Sequence, residues 1–153
     1  MTRRLGDADA EAVLASASPL LEDRAQRVVA SRALRGVDPS GAPVEATLGP
    51  RTLLVFVKLD CDGCHELAGL VRDGLEGCDV LGAMRVPGGG LPDARVDELT
   101  GARGRWLLGE EPFEALDVRS APFFCVLDGD RRVVVEGIAF SRADVAALAG
   151  AAR

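Results

Sequence analysis

Cys61-Asp-Gly-Cys64 stands where two hydrophobic periodicities meet, and that junction restricts the chain to few architectures. Leu53 to Val57 is an unbroken apolar run, the pattern of a strand covered on both faces. After Cys64 the apolar residues Leu67, Leu70, Val71 and Leu75 recur at helical spacing, and Gly77 is the expected C-cap. Cys78 to Val86 reads as a second strand. A strand, a helix and a strand in this order imply an α/β domain with parallel pairing and a right-handed crossover. Cys61 then falls at or next to a helix N-terminus, with Cys64 one turn further in. Unpaired backbone N–H groups and the helix dipole favour a thiolate there. The spacing also lets one sulfur reach the other with little backbone movement, so the pair can cycle between dithiol and disulfide.

Length and charge narrow the function classes. A chain of 153 residues suits one domain. Its formal charge of −6 offers no basic face for phosphate, which sets nucleic acid aside. Arg3 and Arg4 suggest export, but Asp7, Asp9 and Glu11 interrupt any apolar segment behind them, and no membrane span is expected elsewhere. A cytosolic location is the expectation. In that compartment four cysteines point to catalysis or metal binding more than to a structural disulfide framework.

The remaining elements follow from local chemistry. Residues 1–32 are read as an N-terminal helical extension, with Ser18 and Pro19 as N-cap and first helical residue before Leu20, Leu21, Ala25, Val28 and Val29. Residues 33–153 form the domain. Asp38 to Gly41 is a turn between two short strands. Residues 87–92, rich in glycine and proline, break the chain; a short helix over 93–104, a strand over 105–108 and helical turns over 112–116 follow. Residues 122–127 and 132–136 make a hairpin closed by Gly137. Ser141 caps a terminal helix, with Phe140 and Val145 as a hydrophobic staple.

This order of elements, with C-x-x-C after the first core strand and Ala121-Pro122 opening a later hairpin, resembles the thioredoxin fold. It is closest to the redoxin branch of bacterial thiol–disulfide oxidoreductases, which carries a preceding hairpin and a strand–helix insert like residues 87–118. The resemblance covers residues 33–150. It implies a central mixed sheet flanked by helices, Cys61 as nucleophile, Cys64 as resolving cysteine, a cis bond at Pro122, and substrate pairing with the backbone of Ala121. It implies no cofactor, a protein or low-molecular-weight disulfide as substrate, and a reductase partner that the chain does not name.

Several residues depart from that pattern. Asp60 replaces the family's tryptophan, and Val55 replaces the buried acid of thioredoxins, leaving Lys58, His65 or Glu66 as candidate bases for Cys64. Other readings compete for the same residues. Cys61 to His65 matches the c-type haem motif, with Met84 as the distal ligand. Zinc would need Cys61, Cys64, Cys78 and either His65 or Cys125. Thiol peroxidases of this branch resemble each other in a Pro-x-x-x-Thr-x-x-Cys context, and Phe56 to Asp60 supply neither proline nor threonine. A domain of this fold can also serve as a binding adaptor without turnover. Cys78 and Cys125 read as buried hydrophobes, and Trp106, Phe113, Phe123 and Phe124 as core.

Asp60 and Asp62 bracket Cys61 with negative charge, opposing the thiolate that the helix start favours. The expected outcome is a Cys61 pKa near the free-thiol value of about 8.5 and a reducing couple. Alkylation rate against pH measures it, and a value several units lower would refute the expectation.

Overall fold

A computed structural model describes residues 19–22, 27–86 and 93–151. Its eight strands are β1 (Leu20–Leu21), β2 (Ala33–Val37), β3 (Pro43–Thr47), β4 (Thr52–Lys58), β5 (Asp79–Arg85), β6 (Trp106–Leu108), β7 (Phe123–Leu127) and β8 (Val133–Ile138). They form one mixed sheet in the order β1-β8-β7-β4-β5-β6-β2-β3. The helices are α1 (Cys64–Asp73), α2 (Ala94–Thr100), α3 (Glu111–Ala115) and α4 (Arg142–Ala151). Among the described residues, no helix is long and apolar enough to cross a membrane.

Strand β4 lies at the centre, parallel to β5 and antiparallel to β7. Leu53 to Val57 are all 0% exposed, as the unbroken apolar run requires. Alternation along the pleat sends Leu53, Val55 and Val57 into one core with α1, α2 and α4, through Leu67, Leu70, Val96, Leu99 and Val145. Leu54 and Phe56 enter a second core on the opposite face with Phe113, Leu116 and Phe123. Phe56 meets Phe113 and Phe123 edge to face, at centroid separations of 5.0 and 6.2 Å. Trp106 packs over Gly82 in the neighbouring strand; a Cβ at Gly82 would lie 2.4 Å from the indole ring.

The hairpins, the βαβ unit and the aromatic core stand as the sequence predicts; the helix expected over 93–104 ends at Thr100, where Gly101 takes a left-handed cap, and four further features differ. Helix α1 ends at Gly74, not Gly77, because Gly74 takes φ 79° and donates its N–H to Leu70, after which Leu75 bridges back to Cys78. Cys78 therefore precedes β5 rather than beginning it. Gly137 does not close the second hairpin: β8 runs through it to Ile138. The absent side chain there admits β1, since a Cβ would meet the Leu20 carbonyl oxygen at 2.4 Å.

The fourth correction concerns the N-terminal extension. Where a helix was expected through Leu20, Leu21, Val28 and Val29, Leu20 and Leu21 pair antiparallel with β8, and Val28 bridges to Arg132. The rest of that expected helix, and the 87–92 break, lie outside the described residues. The edge of β8 offers an unpaired row of backbone groups, and the segment satisfies them. It is pinned by Arg27, whose guanidinium forms a two-point ion pair with Glu136 and also donates to the Leu116 carbonyl. Glu136 is only 3% exposed, so this pairing is what permits a carboxylate there.

Phe56→Ala removes a ring from the centre of the second core and is expected to lower unfolding stability by about 3–5 kcal/mol, read by urea denaturation.

Candidate redox-active site

Strand β4 delivers the chain to the site and α1 carries it away. Cys64 is the first residue of α1 and is 0% exposed, facing the helix-side core. Cys61 lies three residues earlier and is half-buried. The two are joined as a disulfide with Cα atoms 5.3 Å apart. The Cys64 N–H donates to the Cys61 carbonyl at 3.1 Å, closing a turn that leads into the helix. Cys61 thus sits in the turn before the helix, and Cys64, expected one turn in, occupies its first position. Burial separates them: Cys61 keeps part of its surface in water, and Cys64 keeps none.

The register of β7 brings Pro122 to the same place. Phe123 pairs with Phe56, so the residue before it lies level with the end of β4. The Ala121–Pro122 bond is cis, as the resemblance implies. A Cβ on Gly63 would approach Pro122 Cγ at 3.4 Å and the Phe140 ring at 2.6 Å. Ala121 and Cys61 are both half-buried against the helix-side core.

The charged candidates behave differently from one another. Asp60 and Asp62 are exposed, but Asp60 faces Arg95 at 3.5 Å, a partner supplied by the start of α2. Arg95 also binds the helix-capping Asp93, donating to its carboxylate at 2.9 Å and holding that carboxyl below its usual range. Arg95 thus offsets one of the two acids beside Cys61, a contact across 35 residues that no local pattern announces. Lys58, His65 and Glu66 are all exposed. His65 and Glu66 follow Cys64 on the helix and project about 100° and 200° round from it. Neither is brought to the buried sulfur. Val55 remains apolar core, so no carboxylate occupies that position.

The rival ligand sets are dispersed by the sheet. Cys78 stands beside the first residue of β5, which pairs with Thr52, whereas Cys61 follows the last residue of β4; about 20 Å of strand separates the two ends. Cys125 is buried in the second core, opposite Glu136 and on the other face from Cys64. Among the described residues, no three His, Cys, Asp or Glu side chains converge. Met84 is 0% exposed within the helix-side core rather than facing an open position.

Phe140 is the functional candidate that the sequence reading placed elsewhere. It was expected as a staple for α4, where Ser141 does accept from the Asp144 N–H at 3.3 Å. Its ring also lies on Gly63, and the residue is 42% exposed. A large aromatic ahead of an N-cap was the available signal, and only the end-to-end alignment of β4, β7 and β8 shows where it lands.

Comparison with solved structures places this arrangement in a known fold. The thioredoxin domain of a thiol-disulfide oxidoreductase from Bacteroides vulgatus superposes with a TM-score of 0.62 at 16% identity, covering 84% of this chain and 98% of that one. A secreted Mycobacterium tuberculosis disulfide oxidoreductase homologous to E. coli DsbE gives 0.59 at 16%, covering 76% and 94%. A DsbF homologue from Corynebacterium diphtheriae gives 0.63 at 13%, covering 89% and 93%. No protein-family model matches the chain, and no curated protein matches it in sequence. The chain has the thioredoxin-like fold: a mixed sheet with helices on both faces, the cysteine pair at the end of its central strand and a cis-proline beside it.

In the reduced protein, iodoacetamide should modify Cys61 at least about tenfold faster than Cys64, since thiol reactivity follows access as well as ionisation. Peptide mass mapping over time checks this, and equal rates would contradict the assignment of exposed and buried partners.

Proposed function

We propose that this protein is a thiol–disulfide oxidoreductase acting on polypeptide disulfides. The observation that carries the proposal is the asymmetric pair: a half-exposed Cys61 bonded to a fully buried Cys64, with Pro122 beside them. The structural neighbours, which are described as disulfide oxidoreductases, support the same reading.

The reaction uses few groups. The Cys61 thiolate attacks one sulfur of the substrate disulfide; a Cys61–substrate bond forms, the substrate S–S bond breaks, and one substrate thiolate departs. Cys64 then attacks the Cys61 sulfur, forming the intramolecular disulfide and expelling the second substrate thiolate. Two electrons pass from the dithiol to the substrate. With no acidic side chain at Val55, the Cys64 proton goes to a departing substrate sulfur, which is basic and adjacent at that moment. A dithiol donor returns the pair to its reduced form. The substrate backbone pairs with the chain at Ala121, as an added strand would. The acids beside Cys61 oppose a thiolate there, which favours a reducing couple.

Pre-reduced protein should reduce insulin and dithionitrobenzoate. Cys61→Ser should lower the rate by about 10³ or more, as removal of a nucleophile does, while Cys64→Ser should accumulate a mixed disulfide visible on non-reducing gels. Wild-type rates no higher than those of Cys61→Ser would leave a binding adaptor as the better description.

A further inference from the structure

We infer that Phe140 sets substrate specificity at this site, selecting polypeptide disulfides whose cysteine is flanked by a bulky apolar residue. The inference rests on the oxidoreductase reading and deepens it to a substrate class. Four of the five phenylalanines, Phe56, Phe113, Phe123 and Phe124, are no more than 2% exposed. Phe140 alone is exposed, at 42%. That exposure forgoes the stabilisation that burying a phenylalanine ordinarily brings.

Its position is tied to the chemistry. The ring lies on Gly63, between the two cysteines, with Cδ1 at 2.6 Å and Cε1 at 3.1 Å from where a Cβ would stand. Pro122 Cγ reaches the same point at 3.4 Å. The ring is anchored from both sides, by the fully buried Ala139 at the end of β8 and by Ser141 at the cap of α4. Leu20, 64% exposed, pairs with Ile138 two residues before Phe140 and is a further exposed apolar residue at this end of the sheet. Of the residues flanking the pair in sequence, Lys58, Asp60, Asp62, His65 and Glu66 are polar and exposed, while Leu59 is half-buried against the helix-side core.

A peptide held alongside Ala121 presents its cysteine to Cys61, and a side chain next to that cysteine comes to rest on Phe140. A leucine there removes apolar area of both partners from water. Glycine at the same place gains nothing, and neither does a small disulfide.

The test uses synthetic peptides carrying one cysteine as a mixed disulfide with thionitrobenzoate, flanked by leucine or by glycine. Attack by Cys61 breaks that S–S bond and releases either the chromophore or the peptide thiol; Cys64 then expels the other, so both leave as thiols while the protein becomes the disulfide. The expected second-order rate constant is about tenfold higher for the leucine-flanked peptide, the scale of one modest apolar contact. In Phe140→Ala the ratio should fall below about two. A merely structural role would slow both peptides together and leave the ratio standing. Phe140→Lys provides a second variant: its methylene stem still covers Gly63, but its charge stands where the apolar side chain would land, so it should also abolish the preference. A wild-type ratio near one, or a ratio that survives either substitution, overturns the inference. Failure of the oxidoreductase reading looks different: the wild-type protein would then turn over neither peptide, nor dithionitrobenzoate.

Discussion

Burial of β4 on both faces is the constraint on which the rest of the structure depends. Five consecutive apolar residues leave no solvent-facing side, so the strand must be covered above and below. The pleat then divides them between two cores, one built with the helices that carry Cys64 and cap its end, the other with Phe113 and Phe123. A strand held in this way has a fixed end. Cys61 begins three residues beyond that end, and the neighbouring strands, registered against β4, bring Pro122 and Phe140 to the same level.

The site illustrates how burial can divide labour between identical groups. Cys61 and Cys64 differ neither in chemistry nor much in sequence context, yet one faces the surface and the other packs among Leu67, Ala68 and Val57. In the proposed reaction that difference orders the two steps: the outer cysteine captures, and the inner one releases. Around them the charge is less acidic than the sequence implies, because Arg95 reaches Asp60 from α2. Nothing acidic stands at Val55, which leaves the substrate's own sulfur as the proton acceptor in the proposed reaction.

The sheet edge follows a different logic. Strand β8 would end the sheet, and Leu20–Leu21 and Val28 cover it, pinned by Arg27 on Glu136. At Leu20, Leu21 and Val28 the strand edge prevails over the helical spacing, because it offers backbone hydrogen bonds that an isolated amphipathic turn lacks a surface to match. Gly137 made the pairing possible by admitting the Leu20 carbonyl where a side chain would block it. The same pairing leaves an exposed leucine at the redox end of the sheet.

Local pattern determined most of the architecture: the doubly buried strand, the helix after the cysteines, the two hairpins, and the short helix that follows the glycine-rich break could each be read from residues close together in the chain. The pairing of Cys61 with Cys64 was legible for the same reason, since three residues of spacing settle it. Tertiary structure alone decided which cysteine is exposed, that Phe140 lies on Gly63, that Arg95 answers Asp60, and that Leu20–Leu21 is strand. Each of those depends on groups brought together by strand register, and register is a property of the assembled sheet rather than of any segment within it.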